Sequence, residues 1–390
     1  MQYFEYLFNP QYSSTVWIYN FIFFSVSFFA IIAHKNIIRE RNLKKKSRKG
    51  KTYFFLSFLI AWFFYAFNNT GTDLSQYLMR YSMYELDLNL LISSSDTMEL
   101  GYRLLNALLH EFIENAYLGI GVIKTFIIGI FFISIYNLRD EINVGLAVTA
   151  FMALFYFQAF NLIRISLAGS VCFAAFVFAY RRKYLLSMVF SFLAVTFHRS
   201  ALLFLSALIF YFAYLLFRKS KSVVKLALVA LVPLIIIFGK DILVNFISSS
   251  DSFDRYENYL EITSTAGVAQ LVFYLPVFIM LIVLSCTRLQ RKKRAYDLNF
   301  VWIVFGFSIA MLGYNMGILA RASIFFAPVF VVFMPYYVRI RESGIPVNAS
   351  VRFESGTLKS IIWVYFFFRY ILVIASLFIP SGLYNYSFCF

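Results

Sequence analysis

Apolar stretches of about 20 residues recur along the whole chain, separated by short charged segments, and that pattern leaves few folds open. A helix of that length crosses the roughly 30 Å hydrocarbon core of a bilayer. In lipid, every backbone N–H and C=O must be satisfied within a helix or a closed barrel. Of the 390 residues, 61% are hydrophobic and 14% charged, against about a quarter charged in ordinary soluble domains. The fold class read from this is an all-α polytopic integral membrane protein. Plausible spans are 16–33, 53–68, 116–136, 142–158, 162–180, 184–197, 201–217, 222–238, 267–286, 299–312, 320–338 and 360–379. The expectation is therefore about twelve transmembrane helices in a single domain, 1–390, with two longer external loops.

Charge orients this threading. The formal net charge of +16 lies mostly in juxtamembrane clusters. HKNIIRERNLKKKSRKGK at 34–51 carries nine Lys/Arg and one Glu, and further clusters are RRK at 181–183, RKSKSVVK at 218–225 and RLQRKKR at 288–294. Such residues hold the cytoplasmic ends of helices near anionic lipid, so membrane lipids are the expected partner and nucleic acid is not. If 34–52 is cytoplasmic, alternation of twelve spans puts every large basic cluster on that side and both termini outside. The external loops are then acidic: 69–115 holds seven Asp/Glu against two Arg, and 239–266 holds five against two Lys/Arg. Part of 69–115, around LGYRLLNALLHEFIEN, has the spacing of an amphipathic helix lying along the outer face.

The first long apolar run follows an N-terminus without basic residues and precedes a strongly basic stretch, which is the pattern of a spanning helix rather than of a cleavable leader. Cys172, Cys286 and Cys389 are far apart and suggest neither a disulfide framework nor a metal site. No glycine-rich phosphate loop and no Asp-x-Asp pair appears, so no metal and no cofactor are called for.

Within the threading, polar residues gather on one side. His198 and Arg199 interrupt FLAVTFHRSALLFLSA at 192–207, at an external junction of two helices. Asp73, Glu99, Arg164 and Arg321 fall at external junctions too. Arg164 and Arg321 lie slightly inside apolar helices, where an arginine costs about 2.5–3.5 kcal/mol at the helix centre and less towards the interface. Snorkelling to the headgroups is the plain explanation, but external arginines run against the inside-positive bias. Guanidinium groups suit phosphate through a planar fork of charge-assisted bonds. Carboxylates suit sugar hydroxyls, as hydrogen-bond acceptors or as proton acceptors.

Four stretches carry a resemblance: GTDLSQYLMRY at 71–81, MELGYRLLNALL at 98–109, NLIRISLAGSVCFAAFVFAYRRKYLLSMVFSFLAVTFHRSALL at 161–203 and ARASIFFAP at 320–328. In order and spacing they resemble the EpsG-like branch of the Wzy polysaccharide polymerases. The resemblance implies functional roles for Asp73, Tyr77, Glu99, Gly101, Arg164, His198, Ser200 and Arg321. Asn68 and Asn69 stand where relatives often carry an arginine, and Leu100 where proline is common; Arg80 or Arg103 is then a candidate for the missing charge. The implied activity is glycosyl transfer at the outer face of the bacterial cytoplasmic membrane, joining undecaprenyl-diphosphate-linked repeat units into capsular, O-antigen or exopolysaccharide chains. Arg164 and Arg321 are assigned to the donor diphosphate with Arg199 assisting, and Glu99, Asp73 or His198 to the acceptor hydroxyl. Tyr77, Ser200 and Arg103 are substrate-binding candidates. A flippase and a chain-length-regulating co-polymerase are the implied partners. The rival classes are a transporter of the lipid-linked unit, or a glycosyltransferase using another lipid-phosphate sugar.

Overall fold

A computed structural model describes residues 9–44, 48–93, 96, 98–216, 266–285, 294–315, 321–342 and 355–389. The described chain is all-α; its extended pairing amounts to one isolated antiparallel bridge between Asn68 and Phe388. A 3-10 turn at Pro10–Tyr12 leads into α1 (Ser13–Asn42). Then come α2 (Arg48–Ala66), α3 (Leu74–Met83), α4 (Leu88–Ser93), α5 (Leu100–Phe112), α6 (Ala116–Asn137) and α7 (Val144–Phe151). The chain continues through α8 (Ile163–Tyr180), α9 (Tyr184–Phe197), α10 (Leu202–Leu216), α11 (Ala266–Ser285), α12 (Arg294–Asn315), α13 (Met334–Glu342) and α14 (Ser355–Leu377).

The expectation of about twelve transmembrane helices is corrected. Among the described residues six helices are long and apolar enough to cross a membrane: Pro10–Asn42, Ala116–Asn137, Ile163–Tyr180, Arg199–Leu216, Arg321–Glu342 and Gly356–Leu377. The reasons are local. The expected span 142–158 breaks into α7, a π-helical segment Met152–Tyr156 and a 3-10 turn Gln158–Phe160. The expected span 184–197 is a 14-residue helix, α9. The expected span 53–68 leaves the helix at Ala66, and the rest of the 19-residue α2 includes a basic first turn, Arg48, Lys49 and Lys51. The expected span 299–312 lies within α12, whose first turn carries Arg294 and Asp297. The span 222–238, most of 239–266 and the basic clusters at 218–225 and 288–293 lie outside the described residues.

The two ends of the bundle differ in chemistry. At one end Glu342 accepts hydrogen bonds from His34 Nε2 at 3.2 Å, Asn143 Nδ2 at 2.9 Å and Arg339 at 3.3 Å, and pairs with Lys359 Nζ at 2.8 Å. This carboxylate joins α1, the turn before α7, α13 and α14. The ion pairs Arg41–Asp140 and Arg181–Glu141 lie at this basic end as well.

At the other end, the segment after α14 folds back over the bundle. The Thr72 N–H donates to Ser381 O at 3.1 Å, the Asn69 N–H to Ser387 O at 2.8 Å, and the Tyr19 hydroxyl to Leu383 O at 2.7 Å. The Pro10–Tyr12 turn joins the same layer, with the Tyr12 ring edge-on to Phe378 and Tyr384. A buried aromatic core of Tyr19, Tyr65, Tyr156, Phe157 and Phe160 supports it. Two of its hydroxyls find backbone partners, Tyr65 on Ala159 O at 3.0 Å and Tyr156 on Ala61 O at 2.8 Å. Buried phenols need such partners, because an unpaired hydroxyl in an apolar setting costs several kcal/mol.

The described residues of 69–115 form three helices, α3 to α5, at this end. Asp96 fastens this region: the Tyr84 hydroxyl, Arg80 Nη1 and, at 3.1 Å, the Met98 N–H all donate to its carboxylate. The Tyr81 hydroxyl donates to Ile113 O at 2.8 Å. On α5, Tyr102, Arg103, Asn106 and Ala107 are buried while Leu100, Leu108 and Phe112 are exposed.

Candidate active site

Glu99 is the centre of the polar cluster. It precedes α5 in extended conformation, and its side chain leaves the helix end uncapped. Its Oε2 instead accepts from Arg164 Nη1 at 2.7 Å, and its Oε1 from the Arg199 backbone N–H at 3.0 Å. Both side chains are largely withdrawn from solvent, 4% exposed for Glu99 and 11% for Arg164. One carboxylate thus joins the start of α5, the first turn of α8 and the turn between α9 and α10. The close approach of α5 to α9 depends on Gly101, where a Cβ would sit 2.3 Å from Thr196 Oγ1 and 2.8 Å from Thr196 O.

His198 is buried at the α9–α10 junction. It caps a short 3-10 turn, Arg199–Ala201, by accepting the Ser200 N–H on Nδ1 at 3.2 Å. A neutral imidazole that accepts on Nδ1 carries its proton on Nε2. The ring centroid lies 6.4 Å from that of Phe325, in the 3-10 helix Arg321–Phe326. Arg199 itself is exposed and Ser200 half-buried.

Asp73 stands at the start of α3 on a turn that only glycine fits. Gly71 has φ +117°, and a Cβ there would lie 2.9 Å from Phe160 O. The turn is held by Asn161, whose Oδ1 accepts the Asp73 N–H at 2.8 Å and the Thr72 hydroxyl at 3.1 Å. The Asp73 carboxylate is half-buried, and a long 3.5 Å contact from the Thr72 hydroxyl reaches it.

Tyr77, one turn into α3, is buried, and its phenol feels the charges of Arg164, Asp73 and Arg321. Burial pushes the phenol above its ordinary range, against the opposing pull of Arg164 and Arg321. Its ring is edge-on to Tyr102 at 6.1 Å.

The structure therefore gathers Asp73, Tyr77, Glu99, Arg164, His198, Arg199 and Ser200 at one end of the bundle, with Arg321 beside them. Arg103 is buried on α5, one residue after Tyr102. Arg80 is paired with Asp96. Arg164 and Arg321, coupled in the sequence reading, have different partners: Arg164 is paired with Glu99, while Arg321 opens onto a cavity of about 260 Å³.

Two residues of this region escaped the sequence reading. Asn161, inside the NLIR stretch, holds the Asp73 turn and also lines the Arg321 cavity. Arg369, in the apolar run YFFFRYILV of α14, lines the same cavity. The signal for Arg369 was an arginine well inside a spanning helix, away from any junction. Among the described residues, no three His, Cys, Asp or Glu side chains gather as metal ligands would.

The EpsG family model matches residues 51–388 of the chain. No curated protein and no solved structure matches it.

Proposed function

The chain belongs to the EpsG family, and from that premise we propose that it polymerises polysaccharide by glycosyl transfer between lipid-linked repeat units at the outer face of the cytoplasmic membrane. The family and the polytopic helical fold support a membrane enzyme of polysaccharide synthesis. The observation that carries the finer reading is the convergence of Glu99, Arg164 and the His198–Arg199 turn with Asp73 and Tyr77, opposite the basic end. Basic ends face the cytoplasm, so this cluster faces the side where the finished glycan accumulates.

In this reading the donor is a growing glycan on undecaprenyl diphosphate and the acceptor a single lipid-linked unit. The acceptor hydroxyl oxygen attacks the anomeric carbon at the donor's reducing end. The bond from that carbon to the diphosphate oxygen breaks, and its electron pair leaves with the diphosphate. Asp73 takes the hydroxyl proton, since its carboxylate is half-buried and pairs with no cation among the described residues, whereas both Glu99 oxygens already accept hydrogen bonds. Glu99 keeps the Arg164 guanidinium and the Arg199 turn in register. His198 donates from Nε2 to a sugar oxygen. Arg321 stabilises charge on the departing diphosphate, where preorganised donors have most effect.

The test is genetic and chemical. A deletion strain is complemented with wild type, D73N, R164A, H198A or R321A at equal membrane abundance, and lipid-linked glycan is sized. Single repeat units are expected in the deletion and in each variant, and long chains with wild type. Long polymer in the deletion strain would overturn the assignment, and units retained on the cytoplasmic side would replace it with a transporter.

A further inference from the structure

The cavity beside Arg321 holds a second arginine, Arg369, that the reaction above leaves unused. It gathers residues from both π-helical segments, Met152–Tyr156 and Val329–Phe333, from α11 and from α14. Such segments are frequent at functional sites because they interrupt the regular side-chain register. Its polar lining includes Gln158, Asn161, Ser376 and Ser381, and its charged lining is Arg321 and Arg369, with no carboxylate among the described lining residues.

Arg369 is the unusual member. It is 7% exposed, and its Nε and Nη1 have no hydrogen-bond partner among the described residues. Its guanidinium lies 3.5 Å from the Phe273 ring centroid and 5.9 Å from that of Phe330, and the Tyr365 hydroxyl stands beside it. From Arg369 to the end of α14 at Leu377 is about 12 Å at 1.5 Å per residue. The guanidinium is therefore held by aromatic faces below the site end of the bundle. An arginine so placed faces an anion or a water-filled passage by default.

We propose that this cavity is an anion site for the diphosphate group of a lipid-linked substrate, with Arg369 as its inner cation and Arg321 at its mouth. The identity of the substrate rests on the polymerase reading; the site itself rests on the two arginines, the unpartnered guanidinium nitrogens and the carboxylate-free lining. At about 260 Å³ the cavity is below the roughly 300–1,000 Å³ of ordinary small-molecule pockets. That size suits a headgroup and leaves the glycan outside, over Asp73. Asn161 joins the two parts, since it lines the cavity and holds the Asp73 turn. A diphosphate here would be presented from within the bundle, while the Glu99–Arg164 pair stays electrically balanced.

The test uses the full chain in phosphatidylcholine nanodiscs, with inorganic pyrophosphate and farnesyl diphosphate as probes of binding. Wild type is expected to bind both diphosphates, or the prenyl form alone if the lipid tail is also recognised. Arg369→Met, which keeps the apolar stem, is expected to weaken that binding at least tenfold. Arg369→Lys keeps the charge without the planar fork and is expected to fall between, and it remains informative if the Met variant fails to fold. Prenyl diphosphate bound more tightly than pyrophosphate identifies a lipid source; equal binding identifies free diphosphate and removes the lipid-linked part of the proposal. Wild-type affinity in both Arg369 variants, or no binding by wild type, would overturn it. Arg369-dependent binding together with long glycan in a deletion strain would keep the site and reject the polymerase reading. Unaltered binding in the variants together with stalled glycan would do the reverse.

Discussion

Replacing Glu99 with glutamine tests the central cluster with little change of shape. The substitution leaves one acceptor oxygen for two donors, Arg164 Nη1 at 2.7 Å and the Arg199 N–H at 3.0 Å. Breaking a buried ion pair by removing one partner costs about 3–5 kcal/mol, because the remaining charge is left uncompensated. The amide still accepts one hydrogen bond, worth about 1 kcal/mol, so Glu99→Gln is expected to cost about 2–4 kcal/mol. Arg164→Met leaves the Glu99 carboxylate with the Arg199 N–H alone and falls in the same range. The double variant removes both charges, and its loss is expected to be about 2 kcal/mol smaller than the sum of the single losses, within the range of coupling for residues in contact. Unfolding of the purified chain in mixed micelles, followed by tryptophan fluorescence, measures all three. Additive losses would refute the reasoning, because they would mean that Glu99 and Arg164 do not stabilise one another. The double variant is expected to make no long glycan even where its stability recovers.

Three more outcomes follow from the geometry. Gly71→Ala places a Cβ at φ +117° and 2.9 Å from Phe160 O; it is expected to cost about 1–3 kcal/mol and to lower polymer length through displacement of Asp73, read by fluorescence unfolding and glycan sizing. His198→Asn keeps an acceptor for the Ser200 N–H but lacks the Nε2–H donor, so lipid-linked units are expected to accumulate, read by glycan sizing at equal membrane abundance. Burial works to raise the Asp96 carboxyl, but hydrogen bonds from Tyr84 and Arg80 outweigh it and hold the group below its ordinary value. Its stabilisation is therefore present above the unfolded value of about 3.9 and is lost as pH falls through the lower folded value; Asp96→Asn is expected to flatten the unfolding midpoint between pH 5 and 3.

Membrane embedding and the separation of a basic end from a polar end were legible because both depend on composition within short windows. The gathering of Asp73, Glu99, Arg164 and His198 was legible as residues facing one side. Their pairing was not: Glu99 meets Arg164 across 65 residues and the Arg199 N–H across 100, and no local pattern encodes that. The helix count failed for a different reason. Hydropathy treats 142–158 as a uniform apolar run, while its backbone changes from α to π to 3-10 geometry within that length. Arg369 lies in mid-helix, away from the junctions where the other polar residues gather. Its aromatic cradle comes from Phe273 and Phe330, on other elements.

The activity proposed for the cluster around Glu99 is the joining of lipid-linked units. Its most direct test is the purified chain reconstituted in proteoliposomes with a synthetic undecaprenyl-diphosphate-linked repeat unit, with products resolved by size and released undecaprenyl diphosphate quantified. Chains longer than the supplied unit are expected, with one lipid diphosphate freed per new glycosidic bond, and neither product from Asp73→Asn. Units that cross the bilayer unchanged in length, with no lipid diphosphate released, would contradict it.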